Sequence, residues 1–196
     1  MLANANPQFL SRAPASGASF TMRDLVQRVK WSVDRGDVEG VRRVVVEAIK
    51  DHPGFLPNWF LAPKIESYAR REIYSDPNGK FSILAMVWAP GQGTPLHDHG
   101  GLWVMEAVYQ GQITVCQFEH LGEGNGLHHF VACEQRIDGP GISEWKLPPH
   151  DFHTLSNKSS APAVTIHVFG GILRTCNIFE PTSDGYKRMP KTMCLD

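Results

Sequence analysis

The chain has 196 residues, 42% of them hydrophobic, with ten phenylalanines, five tryptophans and a formal net charge of −1. So even a balance excludes nucleic acid and anionic membrane surfaces as partners held by bulk charge, and no apolar run is long enough to span a bilayer. The length suits one domain with a sizeable core.

Residues 1–18 are mostly Asn, Pro, Ser, Gly and Ala, and Arg12 is their only charged side chain. They lack the apolar run of a secretory signal, and residues 1–19 read as a flexible tail. Residues 20–63 read as a helical extension. Thr21, three residues before Asp24, resembles a capping box, and Leu25, Val29 and Val33 then recur at helical spacing. Gly36-Asp37 ends that helix and opens a second, in which Val38, Val41, Val44, Val45, Ala48 and Ile49 form an apolar stripe despite their β-branching. Pro53, Gly54, Pro57 and Pro63 make residues 52–63 a linker, with Phe55, Trp59 and Phe60 as plugs.

Over residues 64–196 the pattern becomes that of strands. They are expected at 67–74, 81–88, 102–109, 112–118, 129–137, 142–147, 152–157, 163–169 and 175–179, with turns at Asp76-Pro77-Asn78-Gly79, Gly111, residues 122–126, Gly139-Pro140-Gly141 and Gly170-Gly171. Nine short strands with such punctuation predict a β-sandwich or barrel with two helices in front. Cys116, Cys133, Cys176 and Cys194 form no C-x-x-C pair, which argues against a zinc knuckle or redox dithiol. They are expected to stay reduced in a cytoplasmic protein.

The strongest chemical signal is Gly91-Gln92-Gly93-Thr94-Pro95-Leu96-His97-Asp98-His99. If it is extended, His97 and His99 project from one face. Two neutral imidazoles then converge, which suits iron, copper, nickel or zinc. His153, which follows a second Pro-rich turn at Pro148-Pro149, is the best third ligand. Asp98 is turned away by the same alternation. Glu106 joins the set only if a bulge at Gly100-Gly101 shifts the register. Upstream, alternation aims Tyr68 and Arg70 at one face and Arg71 at the other, and an inward guanidinium calls for a carboxylate partner.

From Lys64 onward the chain resembles the cupin superfamily and, within it, the thiol dioxygenases typified by cysteine dioxygenase. Gly91-x5-His97-x-His99 with Gly111 is similar to the first cupin motif, and Pro148 through His153-x3-Asn157 to the second, with His150 standing where Gly is usual. The first motif's glutamate, expected at Trp103 or Val104, is absent, as in three-histidine thiol dioxygenases. Tyr68-Ala69-Arg70 resembles the family's Tyr-x-Arg. Trp88 also matches, and Thr165-x-His167-x-Phe169 resembles its Ser-x-His-x-Tyr.

The resemblance implies a mainly β cupin fold, a double-stranded β-helix or small barrel, with two N-terminal helices. It implies one Fe(II) per chain on His97, His99 and His153, with both atoms of O2 added to the sulfur of a small carboxylated thiol to give a sulfinate. Arg70 would hold the carboxylate; counting through the Asp76–Gly79 turn differently gives Arg71. His167, Thr165 and Tyr68 take the catalytic positions, and Trp88, Phe169 and Val104 line the substrate. Phe169 replaces the family's Tyr, and Val104 stands where animal enzymes carry the Cys crosslinked to that Tyr. Tyr109 or Tyr186 could supply the missing hydroxyl. Cysteine fits Arg70. 3-Mercaptopropionate and mercaptosuccinate are alternatives, a second carboxylate being met by Arg71 or His150, and a cupin that senses a small acid without catalysis is the alternative of another class. The expected assembly is a monomer or weak homo-oligomer.

Overall fold

The structure, a computed structural model, describes residues 19–196. Of the tail expected over residues 1–19, all but the last residue lies outside the described residues.

Among the described residues two helices come first, α1 (Met22–Asp34) and α2 (Val38–Asp51). The capping box forms: the Thr21 hydroxyl accepts from the Asp24 N–H, and the Asp24 carboxylate accepts from the Thr21 N–H at 2.9 Å. Asp37 caps α2 by accepting from the Gly40 N–H at 2.8 Å. Leu25, Val29, Val41, Val45, Ala48 and Ile49 are buried, whereas Val38 is exposed and Val33 and Val44 are half-buried, so the buried stripe is narrower than the valine content suggests. Residues 52–63 are more than a linker, since Asn58–Leu61 form a single helical turn, α3. Phe55 and Phe60 plug the core as expected. Trp59 does not: it is 64% exposed, because neighbouring residues on a helical turn point about 100° apart.

Eleven strands follow, two more than expected. They are β1 (Ala69–Ser75), β2 (Ser82–Trp88), β3 (Leu96–His97), β4 (Val104–Gln110), β5 (Ile113–Gly124), β6 (Leu127–Asp138), β7 (Ser143–Lys146), β8 (His153–Ser156), β9 (Ala163–Phe169), β10 (Thr175–Pro181) and β11 (Tyr186–Thr192). β3 is two residues long, and β11 is too polar to carry a hydrophobic pattern. Residues 122–126 are not a loop. β5 and β6 run through them as a hairpin that turns at Asn125-Gly126, both with positive φ, 53° and 75°.

The strands β1-β2-β9-β4-β7 form an antiparallel sheet, and β10-β11-β6-β5-β8-β3 close on themselves. The mainly β cupin fold with two N-terminal helices is thus observed. In the sheet's middle, Ile83, Ala85 and Val87 of β2, Met105, Ala107 and Tyr109 of β4, and Val164, Ile166 and Val168 of β9 pack into one core with α1 and α2. The intervening residues face the other way. Met86, Trp88, Val108 and Ala163 meet Ile113, Val115 and Leu155 of the closed sheet, while Leu84, Val104 and Phe169 form a smaller cluster. Both faces being buried explains why these strands read as unbroken apolar runs. The same alternation puts Glu106, Thr165 and His167 on the inward face, between the sheets.

Candidate metal centre

β3 pairs with β8 so that His97 lies directly opposite His153. The approach is close: a Cβ on Gly93 would stand 2.6 Å from the Leu155 carbonyl oxygen, which fixes the turn before β3 onto β8. His99 lies beyond the strand, at the start of a loop that turns through Gly100 and Gly101, with φ of 61° and 82°. The expected extended H-x-H is therefore a strand only as far as His97, yet the three rings converge, with centroids 4.6 to 5.1 Å apart. One nitrogen from each lies within 4.8 Å of the others. Asp98 points away and holds the loop, accepting from the N–H groups of Gly100 at 2.9 Å and Asn177 at 2.8 Å.

Two of the rings have a fixed orientation. His97 Nδ1 is 3.1 Å from the Pro95 carbonyl oxygen. His99 Nδ1 is 3.2 Å from Asp151, whose carboxylate also accepts the His99 backbone N–H at 2.9 Å. An Nδ1–H donating to such an oxygen leaves Nε2 with its lone pair free. Desolvation first, and the neighbouring His99 second, hold His97 down at about 4. Burial likewise holds His153 well below the usual imidazole range. Neutral imidazole is the metal-binding form. His153 is fully buried and neither of its nitrogens has a hydrogen-bond partner. Leaving a buried polar group unpaired costs roughly 1–3 kcal/mol, so a cation shared by three imidazoles fits this donor set.

Glu106 also reaches the centre, contrary to the parity expected of it. β3 and β4 are separate strands, and the intervening loop resets the alternation, so no bulge within a strand is needed. The carboxylate is 6% exposed, with Oε1 3.1 Å from His167 Nδ1 and 3.8 Å from His99 Nε2, and Oε2 3.6 Å from His153 Nδ1. Burial opposes its ionisation, but the imidazoles of His153 and His167 keep its carboxyl well below the usual range.

A cavity opens onto the centre, walled in part by Tyr68, Arg70, His97, His99, His167 and Phe169. Arg70 is buried. Its Nη1 donates to the Cys194 carbonyl oxygen at 2.9 Å, while its Nε has no partner. Arg71 turns outward instead and donates to the carbonyl oxygens of Phe60 at 2.7 Å and Ala62 at 2.6 Å, holding α3. It does not line the cavity, nor does the exposed His150. Trp88, Val104 and Thr165 lie behind the wall rather than on it. Trp88 stacks on Tyr68 at 4.6 Å and donates from Nε1 to the Thr165 hydroxyl at 3.0 Å; that hydroxyl is 2.7 Å from His167 Nε2. Val104 packs against Leu84 and Phe169.

The phenols expected to replace the missing hydroxyl are elsewhere. Tyr109 accepts from the Gly54 and Leu56 N–H groups on the helix side, and Tyr186 meets Phe130 edge-on in the closed sheet. Among the described residues Tyr68 is the one phenol on the cavity wall. The sequence reading missed Asp151, although it lies inside the second histidine motif. It also missed Cys176, Lys191 and Met193, which β10 and β11 bring to the wall.

The sequence matches the family described as cysteine dioxygenase type I over residues 11–182. It is 25% identical over 164 residues to the cysteine dioxygenase type 1 of Rattus norvegicus, a match covering 82% of this chain and 79% of that one. It is 22% identical over 185 residues to that of Danio rerio, covering 88% and 85%. Among solved structures it is similar to a cupin superfamily protein of Desulfitobacterium hafniense, with 11% identity, a TM-score of 0.42, and 57% of this chain and 84% of that one covered.

Proposed function

The chain belongs to the cysteine dioxygenase type I family, and from that premise we propose that this thiol dioxygenase carries one Fe(II) on His97, His99 and His153. It adds both atoms of dioxygen to the sulfur of a small carboxylated thiol, cysteine first among them, and releases a sulfinate. The observation that carries the substrate class is the buried guanidinium of Arg70, unpartnered at Nε on the wall of the histidine cavity. A carboxylate would complete that group with a charge-assisted contact, and without one a buried charge stays poorly compensated.

Fe(II) bound there supplies a centre at which a thiol gives up its proton and meets dioxygen. Thiolate plus dioxygen equals sulfinate in atoms and electrons, so no outside reductant enters. The chain's own part is positional. Arg70 anchors the carboxylate and so aims the sulfur at the histidines. Tyr68, steadied by its stack on Trp88, offers a hydroxyl beside that anchor. Thr165 holds His167 at Nε2, leaving Nδ1 against Glu106 Oε1, where it can hold or pass a proton. Phe169 and Val104 keep that side dry without contributing a hydroxyl. Lys191, also on the cavity wall, offers a partner to a second carboxylate and supports mercaptosuccinate as the second reading. The protein acts in the cytoplasm, with its four cysteines free, as a monomer or weak homo-oligomer.

Replacing Arg70→Gln tests the anchor. A hydrogen bond to a charged group contributes roughly 1.5–3 kcal/mol, so KM for cysteine should rise roughly 10- to 100-fold. Oxidation of cysteamine, which has no carboxylate, should be unaffected. An unchanged KM for cysteine would remove Arg70 from the substrate site.

A further inference from the structure

His97 and His99 each have an oxygen behind the ring, the Pro95 carbonyl and the Asp151 carboxylate. His153 has no such hydrogen bond, and both of its nitrogens are buried. The oxygen in the corresponding place is Oε2 of Glu106, 3.6 Å from His153 Nδ1. Oε2 of this buried carboxylate has no hydrogen-bond partner. Its cross-strand neighbour on β7, Glu144, faces Lys146 at 2.9 Å and pairs with Arg136, and the Lys146 ammonium also acts on Glu106 from that side without hydrogen-bonding it. On β9 its cross-strand neighbour is His167, whose Nδ1 lies 3.1 Å from Oε1.

We propose that Glu106 is a positioning residue of the metal centre: its carboxylate accepts from His153 Nδ1, turns Nε2 of that ring to the metal, and ties the ring to His167. This rests on the reading of His97, His99 and His153 as metal ligands. A carboxylate behind a ligating imidazole fixes its tautomer and raises its basicity. Here the same carboxylate also begins a chain through His167 and Thr165 to Trp88, so the orientation of His153 is set by β4 and β9 together. The apolar stretch Met105–Tyr109 of β4 is interrupted once, by this glutamate, on its inward face. The orientation of the ion's third ligand, His153, then depends on a residue of the other histidine motif, between His99 and Gly111.

The test is Fe(II) affinity of the full chain by anaerobic competition with a chelator, for the parent, His153→Ala, Glu106→Gln and Glu106→Leu. The parent is expected to hold one Fe(II) and His153→Ala to lose it. Glu106→Leu should bind roughly 10- to 100-fold more weakly, and Glu106→Gln, which keeps an acceptor oxygen, should show a smaller loss. In the Zn(II)-loaded parent the His153 Nδ1 proton should resonate downfield, as expected of a proton shared with a carboxylate, and should move in Glu106→Gln. Folded Glu106 variants with parental affinity, or a His153 proton indifferent to Glu106→Gln, would overturn the proposal while leaving the three-histidine reading intact. Should Glu106→Leu not fold, Glu106→Gln and the proton signal decide alone. Direct bonding of a Glu106 oxygen to the ion in the loaded protein would also overturn it. A parent without iron, or His153→Ala that retains it, would bring down the underlying reading instead.

Discussion

At the scale of single residues, the centre is made less by the histidines than by what stands behind them. A free imidazole rotates and exchanges tautomers; one held at Nδ1 presents Nε2 in a fixed direction. Asp151 does this for His99 and also takes the His99 backbone N–H. Asp151→Ala should therefore weaken metal binding roughly 10- to 100-fold. It should also destabilise the apoprotein by about 1–3 kcal/mol through the unpaired buried N–H. Chelator competition and denaturant unfolding would check the two effects separately, and parental affinity in the variant would contradict the account. The histidines themselves were legible because ligand identity and spacing are written in the chain. Asp151 and Glu106 were not, because a supporting carboxylate works from wherever the fold happens to bring it. Of Arg70 and Arg71, strand parity, which holds in β1 up to the irregularity after Glu72, sends only Arg70 to the cavity.

At the scale of elements, parity was reliable in the middle of the sheet and failed across loops and at the irregularities of β1 and β5. Alternation along β2, β4 and β9 separates the helix-facing core from the inward face without exception in the sheet's middle. From His99 to Glu106 it failed, since the glycine turn breaks the strand. Short or polar strands such as β3 and β11 were illegible for a different reason: their pairing is set by neighbours and not by their own hydrophobicity. The helices attach to the sheet partly through Asp34 at the end of α1, which pairs with Lys30 and reaches Lys80 at 2.8 Å in the turn between β1 and β2. The Lys30 ammonium first, then Lys80, lowers the Asp34 carboxyl from 3.8 to about 2. A depressed carboxyl contributes stability that is present above the unfolded value and is lost as pH falls through the folded one. The protein should thus be more stable than Asp34→Asn at pH 5, with the difference fading between about pH 4 and pH 2 in denaturant titrations. A difference that persists at pH 2 would mean that the pair does not act through charge.

At the scale of the whole molecule, the five-stranded sheet is buried twice over. Its helix-facing side supplies a large apolar core, and that leaves its inward side free to carry polar groups that a smaller fold could not accommodate. Two buried imidazoles, a third that is half-buried, a buried carboxylate and a buried guanidinium are all gathered there, between the sheet and the closed ring of strands. Few sites outside a metal centre that binds an anionic ligand would gather such groups. The mainly β class and the helical front were readable from turn punctuation and helical spacing. Closure of the second sheet was not, because it depends on pairings between segments far apart in sequence. The proposed chemistry is the transfer of both atoms of dioxygen to one sulfur at this centre. The measurement that tests it most directly is oxygen uptake by anaerobically Fe(II)-loaded protein given cysteine, 3-mercaptopropionate or mercaptosuccinate under isotopically labelled dioxygen, with the product weighed by mass spectrometry. Uptake matched one-to-one by a doubly labelled sulfinate is the predicted result; iron-loaded protein that consumes no oxygen with any of the three thiols would contradict it and leave a small-acid sensor as the better reading.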